Sequence, residues 1–227
     1  MRALRRRRTF AGVVAWDALQ AQVDEAYGAL ALPSWPDPHP ERDPREEEYS
    51  RVSAPDRYVV LHARAQCWAD VLGAVDGVVV TASDDGVTLV RPSGHGAVAI
   101  RFRASRVPLD PGPGALPTLS VSAVGPTGEV LVDAQPDCGC DACDDGSAGL
   151  VRAVDQAVRR VVATPLVALR GRGWRGQWYG DGGGETSSRG DAPAAAAVME
   201  WCRALADGEA VDLPADVEVV VSGRPWW

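Results

Sequence analysis

Gly77-Val-Val-Val-Thr-Ala-Ser-Asp-Asp-Gly-Val-Thr-Leu-Val-Arg-Pro-Ser-Gly-His-Gly-Ala-Val-Ala-Ile-Arg-Phe-Arg103 is the stretch on which the fold reading turns. Before it the apolar residues recur at three and four; within it they recur at two. Gly77 to Ala82, Val87 to Arg91 and Ala97 to Arg103 read as strands, with Asp84-Asp85-Gly86 as a hairpin turn whose glycine supplies a positive φ. Arg101 and Arg103 alternate with Ile100 and Phe102, so the third strand has one wet face.

Working outward, the helical side comes first. Val14 to Leu30 places Trp16, Leu19, Val23, Tyr27 and Leu30 on one face. Ser53-Ala54-Pro55-Asp56 reads as a helix start, with Ser53 as the cap, for a helix reaching about Ala74. Its buried face is Tyr58, Leu61, Ala65, Trp68 and Leu72. On the far side, Val107 to Pro117 reads as a proline-rich loop, and Thr118–Val124 and Glu129–Val132 as a second hairpin. Ser147 to Val162 is an amphipathic helix. Pro165–Leu169, Trp174–Tyr179 and Val217–Val221 follow as strands, and Pro193–Ala206 as a helix. The expected fold class is α+β: a mostly antiparallel sheet of about six to eight strands in a meander, packed with about four helices. Residues 1–12 form a basic disordered head, and 13–227 a single domain. Within that domain 32–54 is a proline-rich arm and 180–191 a flexible loop.

Composition excludes several function classes. The chain has 227 residues and a net charge of −8. It contains no lysine and no asparagine, so its 23 basic residues are all arginine. Without lysine there is neither a Schiff-base enzyme nor a P-loop. Five of the arginines lie in the first eight residues. The remaining 18 face 31 acids, a balance of −13 that disfavours nucleic-acid binding. No stretch approaches the roughly 20 apolar residues of a membrane span. Arg7-Arg8 lacks the apolar region of a signal peptide, and five cysteines, an odd number, do not suggest a disulfide framework. These features point to the cytoplasm.

Chemistry concentrates in Asp137-Cys138-Gly139-Cys140-Asp141-Ala142-Cys143-Asp144-Asp145-Gly146-Ser147. In an extended segment Cys138 and Cys140 point to one side, and a turn at Asp141-Ala142 brings Cys143 to join them. Zinc takes four ligands, commonly thiolate and imidazole. His39 is the first candidate for the fourth, His62 the next, His95 the remaining histidine, and a local aspartate the other option. Three thiolates among four aspartates repel one another without a cation. An empty site is therefore expected to hold neutral, inert thiols. The competing readings are a plain turn, with Asp144, Asp145 and Ser147 starting the next helix, and thiol-redox chemistry. Cys67 and Cys202, on apolar helix faces, read as core.

Gly171-Arg172-Gly173-Trp174-Arg175-Gly176 matches the Gly-x-Gly-x-x-Gly pattern, but no helix start follows it. Neither nucleotide nor NAD is expected. No Gly-x-Ser-x-Gly and no His-Glu-x-x-His occurs.

Trp35-Pro36-Asp37-Pro38-His39-Pro40, Glu47-Glu48-Tyr49-Ser50-Arg51, the helix Pro55–Trp68, Asp137–Ser147 and the tail Ser222-Gly223-Arg224-Pro225-Trp226 resemble an uncharacterised, domain-of-unknown-function family of GC-rich bacteria. The resemblance spans most of the chain after the basic head. It implies no activity, cofactor or catalytic residue. It does imply that Asp137–Ser147 belongs to the domain.

The functional expectation is an α+β module with a structural zinc at Cys138, Cys140 and Cys143, acting through a binding surface. The Trp35 arm and the Trp174–Tyr179 region are the candidate surfaces for a protein partner. The alternative is a metal-assisted hydrolase or a thiol-redox protein built on the same cysteines.

Overall fold

Two antiparallel sheets contribute to one core in the computed structural model, which describes residues 15–94, 96–109, 114–188 and 192–227. Four helices and nine strands lie among these residues: α1 (Trp16–Gly28), α2 (Val59–Gly73), α3 (Ser147–Val162) and α4 (Ala195–Ala206), with β1 (Val78–Ala82), β2 (Val87–Pro92), β3 (Ala99–Pro108), β4 (Ala115–Val124), β5 (Glu129–Gln135), β6 (Leu166–Gly171), β7 (Trp174–Tyr179), β8 (Gly184–Ser188) and β9 (Glu218–Gly223). The α+β class holds. The sheet is divided, however, into a five-stranded meander β1-β2-β3-β4-β5 and a four-stranded sheet β8-β7-β6-β9.

Residue pattern explains the layering. Helix α2 is buried almost all round, with Val60, Leu61, Ala65, Trp68, Ala69 and Leu72 inside. It packs α1 on one side, where Trp16 stacks on Trp68 at 4.9 Å between ring centres. Its other side meets β4 and α3. Val90, Ile100, Phe102, Val121 and Ala123 supply the inner face of the first sheet. Strand β6 explains the second sheet. Leu166 and Ala168 face the main core, while Val167 and Leu169 face α4 with Val198 and Cys202. A strand covered on both faces reads as a continuous apolar run, as Leu166–Leu169 does; Arg170, at the exposed end, lies outside the cover.

One polar group crosses the helical layer. Arg64 of α2, 1% exposed, donates to Asp155 of α3 from Nε at 2.8 Å and from Nη2 at 2.7 Å. Asp155 also accepts from Trp68 Nε1 at 2.7 Å. Asp24 of α1 completes the network as a second acceptor for Arg64.

Three sequence expectations require correction. Gly184–Ser188, read as part of a loop, is strand β8 on β7. Every residue of it is exposed, so it carries no apolar alternation to betray it. The loop read at Val107–Pro117 is shorter, because β3 runs to Pro108 and β4 begins at Ala115. Proline is tolerated there: β5 pairs β4 only from Leu119 onward, leaving one edge of β4 free at Pro117. Ser53 does not cap a helix. A 3-10 turn, Pro55–Tyr58, precedes α2, and the Ser53 hydroxyl is used elsewhere. The basic head and His95 lie outside the described residues. No described helix is long and apolar enough to cross a membrane.

Candidate metal centre

The cysteine loop joins β5 to α3 and has little core of its own; Cys140 and Ala142 are its main buried apolar residues. Such a loop needs outside partners for its backbone. The proline-rich arm provides them. Asp141 N donates to Arg51 O at 2.7 Å. The Asp141 carboxylate accepts from Ser53 N at 2.9 Å, Ser53 Oγ at 2.5 Å and Arg51 Nε at 2.6 Å. Asp144, 5% exposed, accepts from Trp35 Nε1 at 3.0 Å, from Gly146 N at 2.9 Å and from Arg57 Nη2. The Arg57 guanidinium also lies 4.8 Å from the Trp35 ring centre. Ser147 N donates to Trp35 O at 3.1 Å, and Trp35 N to Ser147 Oγ at 3.2 Å.

These contacts reassign residues expected to start α3. Its N-cap is Gly146, at φ +86° and ψ 165°, and no side chain caps it. Asp144 holds the arm instead, and Ser147 bonds Trp35. An ideal Cβ on Gly146 would stand 2.7 Å from Asp37 N and 2.8 Å from Pro36 C, so only glycine lets the arm lie this close.

Within the loop the three cysteine sulfurs converge. Cys138 Sγ is 3.1 Å from Cys140 Sγ, and all three sulfurs lie within 4.8 Å of one another. None is in a disulfide. A 3-10 turn, Asp141–Cys143, brings the third thiol round, with Cys143 N donating to Cys140 O at 3.1 Å. The expected turn thus does what the spacing requires, and the cluster can hold a metal ion. Cys140 is buried; Cys138 and Cys143 are exposed. Their sulfurs stand on the wall of a cavity of about 460 Å³, shared with Tyr58, Asp137, Asp145 and Leu150.

Proton affinity is divided unevenly among the thiols. Burial works against ionising Cys140. Hydrogen bonds from the Cys138 and Cys143 thiols and from the backbone N–H groups of Cys143 and Ala142 outweigh it, and its pKa falls below the ordinary thiol value. Cys143 moves the other way, because its proton is held by Cys140 first and Cys138 second. At Cys140 the local donors thus more than offset the rise in proton affinity that burial brings.

The histidines are occupied differently. His39 has a buried side chain in the arm, with Nε2 3.4 Å from Glu48 Oε2 and its backbone N–H donating to Asp37 at 2.7 Å. Arg42, then the Arg45 N–H, hold the Glu48 carboxyl well below the usual range. His62 Nε2 donates to the Thr118 carbonyl at 2.9 Å. Among the described residues no histidine, aspartate or glutamate joins the three sulfurs at ligand spacing. Of the aromatic residues considered for partner binding, Trp174 and Tyr179 are buried, while Trp35 and Trp178 are half-buried. Trp35 packs edge-on against Tyr58 at 5.9 Å, and Trp174 and Tyr179 are 7% and 3% exposed.

The cavity and the seating of the arm on the cysteine loop carry no local sequence signal. Tyr58 and Leu150 reach the cysteines from other elements, and Trp35 reaches Asp144 across 109 positions.

A family model described as a family of unknown function (DUF6226) matches residues 23–227. No curated protein matches the chain. No solved structure matches it either.

Proposed function

The chain belongs to this family of unknown function, DUF6226, and we propose that within it the protein is a zinc-binding domain, with Cys138, Cys140 and Cys143 as the protein ligands and the fourth position open to the cavity. The observation that carries the reading is the convergence of three sulfurs beside a cavity whose wall includes Cys138 and Cys143. Zinc–sulfur bonds of about 2.3 Å in a tetrahedron set sulfurs about 3.8 Å apart. The observed separations, 3.1 Å for one pair and at most 4.8 Å for all, bracket that value. Three protein ligands with one exchangeable position is the arrangement of a working site; a purely structural zinc is closed by four. His39 and His62 face Glu48 and Thr118, and among the described residues no carboxylate lies at ligand spacing from the three sulfurs, so we take the fourth ligand to come from the cavity. A reducing cytoplasm keeps such thiols free for metal.

The decisive measurement is native mass spectrometry with elemental analysis, on protein purified without a metal-binding tag. One equivalent of zinc is expected, lost in Cys140→Ser and retained in Cys202→Ser. Folded wild-type protein that takes up no zinc on titration refutes the reading.

A second reading, thiol-redox chemistry, is favoured by the 3.1 Å Cys138–Cys140 approach and the lowered Cys140 pKa. It predicts a reversible Cys138–Cys140 disulfide in glutathione buffers. Zinc release without disulfide formation contradicts it.

A further inference from the structure

We infer that the open position takes the sulfur of a small thiol that carries its own positive charge, an aminothiol. This rests on the metal reading above and names the ligand class for the same site.

Charge selects the ligand first. A divalent ion with three thiolates carries a net charge of −1. Asp137 and Asp145 stand on the same cavity, and among the described residues neither is paired with a basic side chain. Asp144 also borders it but is neutralised by Arg57. No arginine or histidine lines the wall. An anionic ligand would bring the centre to −2 between two free carboxylates, and an ammonium group on the same ligand offsets that repulsion.

The donor atom follows from the ligand set. Three thiolates already donate strongly, which leaves the metal soft and a weak acid toward water. A sulfur donor matches it better than a hard oxygen. Binding forms one metal–sulfur bond, displaces the solvent ligand and passes the thiol proton to solvent. Access is from the cavity side, where Cys138 and Cys143 are exposed, while Cys140 is buried.

Size and lining agree. About 460 Å³ lies in the range of small-ligand sites, roughly 300–1,000 Å³. Pro136, Leu150 and Ala153 offer apolar contact for a short alkyl chain between the two charged ends.

Cobalt(II)-loaded protein provides the test, because sulfur-to-cobalt charge-transfer bands report the number of thiolate ligands. Three probes separate the requirements: cysteamine (thiol and ammonium), ethanolamine (ammonium without thiol) and 3-mercaptopropionate (thiol with carboxylate). Cysteamine should raise the charge-transfer intensity by about a third, as three thiolates become four. Its dissociation constant should be at least about tenfold below that of 3-mercaptopropionate. Ethanolamine should leave the bands unchanged. The Asp137→Asn, Asp145→Asn double variant should keep the three-thiolate spectrum and lose most of the preference for cysteamine. A three-thiolate spectrum indifferent to cysteamine overturns this inference and leaves the metal reading standing. Equal affinity for 3-mercaptopropionate overturns the charge selection. Protein that takes up no cobalt removes the metal reading and this inference with it.

Discussion

Replacing Gly146 with alanine tests whether the arm holds the cysteine loop in place. At φ +86° and ψ 165° the residue occupies backbone space essentially reserved for glycine, where another residue costs about 1–3 kcal/mol. The new Cβ would also stand 2.7 Å from Asp37 N, 2.8 Å from Pro36 C and 3.0 Å from Trp35 O. These are backbone atoms and cannot rotate aside. Relieving the overlap means moving the arm and lengthening the Ser147 N–Trp35 O and Trp35 N–Ser147 Oγ bonds, each worth about 1 kcal/mol. The expected loss is about 3–5 kcal/mol, or roughly 10 °C in Tm for a domain of this size. Gly182→Ala is the control. Its φ is +88°, but nothing lies within 4 Å of the added Cβ, so only the conformational cost of about 1–2 kcal/mol remains. Thermal unfolding followed by circular dichroism, with urea titration for the free energies, measures both. If Gly146→Ala loses no more than Gly182→Ala, the close packing of arm on loop is wrong. Zinc affinity should fall in Gly146→Ala and stay unchanged in Gly182→Ala.

Arg64→Ala leaves the partly buried Asp155 without its cation and should cost about 2–4 kcal/mol in urea unfolding; a loss below about 1 kcal/mol contradicts the Arg64–Asp155 network. Asp133 has its pKa raised, chiefly by burial, against an opposing bond from Gln135. Below its unfolded pKa both states are protonated and no penalty exists; stability is lost as pH rises through the folded pKa. Asp133→Asn should therefore raise Tm at neutral pH and leave it unchanged near pH 3, and a gain at both pH values would point to another cause. Thiol titration with a bulky disulfide reagent should label Cys138 and Cys143 first, and Cys67 and Cys202 only on unfolding. For Cys202, burial pushes the thiol up to about 12. Zinc should protect the cluster, and unprotected labelling in its presence counts against the three-ligand site.

Most of the elements were readable along the chain, for a local reason. Ile100 to Arg103 alternates because one face of β3 is buried and the other wet, and α3 shows its stripe because Leu150, Val154, Val158 and Val161 face one core. Where burial is absent the reading failed. Gly184–Ser188 pairs through its backbone alone, and the outer ends of β3 and β4 run past the apolar run into polar residues and prolines. The division into two sheets was also illegible, since antiparallel pairing of β6 with β9 spans the whole of α4. At the site, the convergence of the thiols was legible and the duties of the aspartates were not. Asp141 and Asp144 have the chemistry of helix starters, yet their partners are Ser53, Arg51, Arg57 and Trp35.

By itself the sequence determined the helices, most strands and the grouping of Cys138, Cys140 and Cys143. Side-chain period and a five-residue reach are properties of the local backbone, the same in any fold that contains them. Only the tertiary structure decided that the arm seats on the cysteine loop, that His39 and His62 face Glu48 and Thr118, and that two of the three sulfurs open on a cavity. A carboxylate or an imidazole accepts many partners of equal chemistry. Which one it meets depends on what packing brings within 3 Å, and that distance is set by the whole core at once.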